Sequence, residues 1–129
     1  MDKLSTYSVP LGRVLLAVLF VLAGFGKATN PAGTIQYIQS AGLPLAEVGY
    51  AIALAAELGG GLLILVGYKT RIIAPLMALF TLATAVFFHN NFADQVQMTM
   101  FLKNLAIVGG FLVLGAHGAG ALSLDNRKG

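Results

Sequence analysis

Residues 72–92 and 104–124 contain no Asp, Glu, Lys or Arg, and these uncharged runs constrain the fold more than any other feature of the chain. A helix rises about 1.5 Å per residue, so about 20 such residues cross a hydrocarbon layer of about 30 Å. Composition agrees: 57% of the 129 residues are apolar and only 10% are charged, where a soluble domain carries about 25% charged residues. A water-soluble globule is excluded. The chain is expected to be an integral membrane protein, with residues 1–129 read as one transmembrane domain.

Cysteine is absent, so the chain forms no disulfide, supplies no thiolate to a metal and runs no dithiol exchange. Any redox role therefore needs a bound cofactor or a partner. The net charge of +3 comes from basic residues scattered singly beside apolar segments. Membrane topology explains that pattern better than a phosphate-binding surface does, and no nucleic-acid partner is expected.

Four apolar segments cover roughly residues 9–26, 45–67, 72–88 and 100–117. They lack the alternation of barrel strands, so helices are expected. Pro10 lies near the first start, Gly67 caps the second segment and Pro75 falls in the first turn of the third. The fourth fades into Gly115, Gly118 and Gly120. Residues 30–44 read as a short helix with Asn30 as N-cap, Pro31 at the first position and Gly42 ending it. Its mixed polarity suits the interface, although a simple connecting helix is the alternative. The expected fold is all-α: a four-transmembrane-helix bundle with a short interfacial helix between spans one and two.

The first segment follows Lys3 as a signal peptide would, but it is too long for that and contains Arg13, so it is read as a retained span. Lys3, Lys69, Arg71, Arg127 and Lys128 fall on one side of the bundle. The positive-inside rule makes that side cytoplasmic, with both termini inside a bacterial inner membrane. Lys27, Glu47 and Asp94 fall on the other side, with Lys103 just inside span four.

Ionisable groups within the spans are costly and need partners. Glu57 lies near mid-bilayer, beside a stripe of small residues, Gly49, Ala53, Ala56 and Gly60, and is expected to face the interior. It reads either as a structural hydrogen-bonding group or as a proton-relay or ligand-contacting residue. Arg13, with an axial offset of about 7 to 8 Å, is its expected ion-pair partner, the alternative being an Arg13 that snorkels to headgroups. At the outer end Lys27, His89, Lys103 and Asn104 gather where three helix ends meet. They are candidates for contacting a ligand; interfacial anchoring is the alternative for the two lysines. His89 and His117 sit at opposite ends of adjacent spans, so no shared metal or haem site is expected. Gly59 to Gly61 and Gly109-Gly110 follow no strand, so they read as packing residues and not as a phosphate loop.

These residues fall in an ordered pattern: Arg13, Phe20, Ala23-Gly24 and Lys27, then Glu57-Leu-Gly-Gly60, Gly67-Tyr-Lys-Thr70 and Phe88-His89. Lys103-Asn104-Leu105, Gly109-Gly110 and Gly118-Ala-Gly120-Ala-Leu-Ser123-Leu-Asp125 complete it. Nearly the whole chain resembles the DoxX family of small four-helix membrane proteins. The resemblance implies association with redox or oxidative-stress systems, since some relatives belong with thiosulfate:quinone oxidoreductase, while family membership alone assigns no reaction. Two functions follow as expectations. One is a redox-associated membrane subunit binding a quinone or other small amphipathic ligand within the bundle, if an enzyme at all then as an accessory subunit of a quinone-linked oxidoreductase. The other is a noncatalytic scaffold that docks a soluble redox or oxidative-stress partner. Catalytic residues, and whether the chain forms a homo-oligomer in the lipid, are left open by the sequence.

Overall fold

The computed structural model describes residues 3–120 and 122–126, with side chains from residue 6 onward. Arg127, Lys128 and the side chain of Lys3, all counted above on the cytoplasmic side, lie outside the described residues. Within them the chain is helical, without strands: α1 (Lys3–Ala28), α2 (Pro31–Ser40), α3 (Ala46–Leu54), a π-helical segment (Ala55–Gly60), α4 (Gly61–Val66), α5 (Thr70–Phe88) and α6 (Gln95–His117). The segment from α3 to α4 is one continuous span. Four stretches are long and apolar enough to cross a bilayer: Thr6–Ala28, Ala46–Val66, Thr70–Phe88 and Gln95–His117.

Boundaries follow local chemistry. The Asn30 side chain accepts from the Gly33 N–H at 3.2 Å and Pro31 opens α2, because helix starts leave N–H groups that need acceptors. Asp94 plays the same part for α6, accepting from Val96 N–H at 2.9 Å; it moves the start of that helix to Gln95, ahead of the expected Met100. Pro10 and Pro75 lie inside α1 and α5 and not at their starts. A proline near a helix end removes one ladder hydrogen bond, and here the helices extend past both. Gly67, at φ 72°, ends the second span as its sequence position suggested.

Span two packs antiparallel on α1, and α5 packs along α6. The two hairpins join through a core that includes Ala17, Phe20, Ile64, Met77 and Phe111, with Phe20 and Phe111 at 5.5 Å between ring centroids. Leu22, Leu79 and Val113 point outward, each 65–70% exposed. Such an apolar exterior suits lipid and not water.

Gly24 sets the register between α1 and span two. A Cβ there would meet the Leu58 side chain at 2.7 Å and its backbone nitrogen at 3.0 Å. Further along, Gly61 lies against Phe20 and Val21, and a Cβ on Gly67 would lie 3.2 Å from the Arg13 guanidinium carbon. Close approach in lipid depends on small residues, because lipid tails are as apolar as the helix faces. Gly24→Leu should therefore cost about 1–3 kcal/mol through overpacking, read as a lower melting temperature in detergent. An unchanged melting temperature would show that this contact does not hold the helices together.

The segment after α6 folds back onto the end of the bundle that carries Lys69 and Arg71. Leu124 and Asp125 N–H donate to the carbonyls of Val66 and Gly67 at 2.9 and 2.8 Å. The Asp125 carboxylate accepts from the N–H groups of Lys69 and Thr70 at 2.6 and 2.8 Å, capping α5, whose own N-cap Lys69 offers no side-chain acceptor. Partial burial acts to raise the pKa of this carboxyl, but the Thr70 and Lys69 hydrogen bonds and the Arg13 charge outweigh it, so it lies below the ordinary aspartate value. Arg71 donates to the carbonyls of Ala116 and His117 at 2.6 and 2.9 Å, satisfying acceptors left open at the end of α6.

Candidate functional site: a polar-floored cavity between the helices

The expected pairing of Arg13 with Glu57 does not occur. Because Gly24 lies against Leu58 and Glu57, Arg13 is eleven residues away along α1, about 16 Å at the helical rise. An arginine side chain does not span that. Arg13 is instead level with the end of span two at residues 65–67, where it is 4% exposed. Its Nη1 donates to the Ala119 carbonyl at 2.6 Å, and its Nη2 to the carbonyls of Leu122 and Leu65 at 2.8 and 3.3 Å. It neither pairs with Glu57 nor snorkels to lipid; it holds the returning tail to span two.

Glu57 pairs with Lys27. The Lys27 Nζ lies 2.9 Å from Glu57 Oε1 and 3.2 Å from Oε2. Lys27 follows Gly24 by three residues and so shares its face of α1, which places the ammonium beside the carboxylate that the glycine allows close. Glu57 is 7% exposed, and Tyr50 adds a bond on the same side, its hydroxyl donating to the Lys27 carbonyl at 3.0 Å. The carboxylate also stands in the π-helical segment. One widened turn of this kind inside an α-helix is frequent at functional sites, and it re-aims side chains that an unbroken α-helix would place elsewhere.

Above this pair opens a cavity of about 480 Å³, lined by residues from every span and from α2. All five ligand-contact candidates, Glu57, Lys27, His89, Lys103 and Asn104, border it. The structure thus brings together groups spread over 77 positions of sequence, from 27 to 104. Asn104 is buried, with its amide donating to Thr84 Oγ1 at 3.2 Å. His89 Nδ1 is 3.1 Å from Gln97 Oε1, so the Gln97 amide helps orient the ring. The remaining wall is aromatic and aliphatic, including Phe20, Phe80, Phe87 and Ile107.

Sequence reading did not find the cover of this cavity. Thr34, Tyr37 and Ile38 of α2 line it, and the Tyr37 ring stacks on Phe88 at 5.3 Å with 18° between planes. The helix between spans one and two is therefore more than a connection, since it contributes an aromatic ring to the cavity lining. The signal was present in the buried Ile38 and its neighbour Tyr37, but a single helix does not reveal which aromatic it meets. Thr81 and Thr84 were also missed, because threonine in a span commonly bonds its own helix, as Thr81 does to the Met77 carbonyl at 2.7 Å.

Such a site can hold an amphipathic molecule of drug-like size, since ligand pockets run from about 300 to 1,000 Å³ and pair apolar walls with a few placed polar groups. Among the described residues no three His, Cys, Asp or Glu side chains come together.

Comparison with known proteins gives the family. The DoxX family model matches residues 8–90. The chain is 49% identical to the inner membrane protein YqjF of Escherichia coli over 99% of both chains. It is 38% identical to the inner membrane protein YphA of the same organism over 91% of this chain and 87% of YphA. CatD of Bacillus subtilis, whose name assigns it provisionally to the oxidoreductases, is 41% identical over 61% of this chain and 58% of its own length. No solved structure gives a significant match.

Proposed function

The chain belongs to the DoxX family, and from that premise we propose that it is a redox-associated membrane subunit that takes a quinone or another small amphipathic molecule into the cavity between its helices. The observation that carries this reading is the 480 Å³ cavity on which Lys27, Glu57, His89, Lys103 and Asn104 converge within apolar walls. The residues suit a quinone: the Lys103 ammonium and the amide of Asn104 are donors for carbonyl oxygens, and the phenylalanine walls present faces for a ring. A quinone, when bound, would supply two-electron, two-proton redox chemistry that a chain without cysteine lacks. The protein's own part is to bind and orient: Glu57 holds the Lys27 ammonium at the cavity floor, Asn104 fixes a donor on α6, and the Tyr37–Phe88 stack limits water entry.

The supporting experiment is native mass spectrometry after gentle purification and incubation with a short-chain ubiquinone analogue. One analogue per chain is expected on the natural protein and none on Ala53→Phe, which fills a position on the cavity wall. No adduct on the natural protein, with a soluble partner retained in its place, would make the chain a scaffold.

For location, residues 1–129 are read as one domain in the bacterial inner membrane, with both termini cytoplasmic. The support is the names of the two Escherichia coli relatives and the positions of Lys69 and Arg71. A cysteine at Asn126 should resist an impermeant thiol reagent in intact cells, while one at Gln95 should react. The reverse labelling would invert the topology.

A further inference from the structure

The charges on the cavity wall do not cancel. Lys27 and Glu57 neutralise each other at 2.9 Å. Lys103 also lines the cavity, and among the described residues it has no acidic partner. His89 is engaged with Gln97 and supplies no negative charge. Two cations and one carboxylate line the cavity, which leaves one positive charge, that of the exposed Lys103, without an acidic partner among the described residues. Lys103 follows the start of α6 by eight residues, a depth of about 12 Å along the helix. Met100, Lys103, Asn104 and Ile107, at helical spacings of three and four, line the cavity from one face of α6.

We propose that the molecule bound in this cavity is a monoanionic amphipath, a single ionised head on one apolar body, whose head is held by Lys103 while its body lies along Phe80, Phe87 and Ile107. This rests on the reading of the cavity as a ligand site and, of the two ligand classes named there, takes the other small amphipathic molecule in place of a quinone. An anionic head completes the charge balance that the Lys27–Glu57 pair leaves open, and charge-assisted hydrogen bonds to an ammonium are about twice as strong as neutral ones. A neutral head, a quinone included, leaves the Lys103 charge uncompensated. The chemistry is shared by a free fatty acid and by an anionic membrane lipid; the cavity size favours one chain.

The test measures binding of oleate, of oleyl alcohol and of phosphatidylglycerol to the full chain in neutral maltoside micelles, on the natural protein, Lys103→Gln and Lys103→Arg. Oleate is expected to bind about tenfold more tightly than oleyl alcohol, the worth of one hydrogen bond to a charged group. Lys103→Gln should bring the two within about twofold while Lys103→Arg keeps the preference, because only the charge is at issue. Equal binding of acid and alcohol by the natural protein overturns the proposal while leaving the cavity a ligand site. An oleate preference that survives in Lys103→Gln overturns it as well. Binding of none of the three, nor of the quinone analogue, removes the ligand site itself. Phosphatidylglycerol displacing oleate through Lys103 identifies the lipid source of the same head chemistry. Should Lys103→Gln melt early, the acid-to-alcohol ratio of the natural protein still decides.

Discussion

Replacing Lys27 by Met while Glu57 stays should cost about 3 kcal/mol, near the low end for breaking a buried ion pair, because the Lys27 side chain remains 31% exposed. The loss comes less from the missing attraction than from the carboxylate left behind. Glu57 is 7% exposed, in a π-helical turn whose neighbours are Leu58 and two glycines, and nothing else within that turn can neutralise it. Glu57→Gln alone should cost less than Lys27→Met, since the Lys27 ammonium can turn toward the cavity. The double variant Lys27→Met/Glu57→Gln should recover much of the single loss, as replacing both members of a buried pair by neutral groups is far milder than stranding one. Melting temperatures of the four proteins in one detergent close the cycle. Additive losses would mean that the 2.9 Å contact contributes no coupling. Arg13→Met combined with Glu57→Gln should be additive, since the two side chains share no partner.

That contrast marks how far the sequence reaches. The spans are legible because an uncharged run of the right length has few other uses, and the start of α2 is legible because Asn30-Pro31 satisfies a local requirement of any helix start. The polar residues of the cavity are also legible as residues: a carboxylate and two lysines in or beside spans must be accounted for inside the bundle. The partner of each one is not legible. Whether Glu57 meets Arg13 or Lys27 depends on the sliding register of two helices, and the deciding residue is Gly24, whose missing side chain lets Leu58 close against α1. An error of two turns in that register exchanges one basic partner for the other. The π-helical turn at Ala55–Gly60 leaves no sequence mark beyond its glycines, and the stack of Tyr37 on Phe88 joins elements 51 positions apart. The tail is the clearest omission. Gly118, Ser123 and Asp125 read as motif letters, while the groups that Asp125 satisfies, the N–H groups of Lys69 and Thr70, belong to the start of another helix.

The tail is where the second large effect is expected, at Arg13. One guanidinium donates to three carbonyls on two segments, Leu65 in span two and Ala119 and Leu122 in the tail. A planar fork of donors can do this where a single ammonium cannot. Arg13→Met removes all three bonds and leaves acceptors in a buried place, and hydrogen bonds to charged groups are worth about 1.5–3 kcal/mol each, so a loss of about 3 kcal/mol or more is expected even after part of the tail rehydrates. The damage should be local first. Freed at Ala119 and Leu122, the tail loses its hold on the turn at Gly67, and amide exchange at Leu124 and Asp125, whose N–H groups bond Val66 and Gly67, should speed up before the spans themselves loosen. Arg13→Lys should fall between the natural protein and Arg13→Met. Asp125→Asn should speed exchange at Lys69 and Thr70 while leaving the Arg13 bonds in place, because it weakens the cap on α5 and not the clamp on the tail. Exchange at Leu124 that is unchanged in Arg13→Met, together with an unchanged melting temperature, would show that the tail is held by Asp125 alone and that the buried guanidinium does not close this end of the bundle.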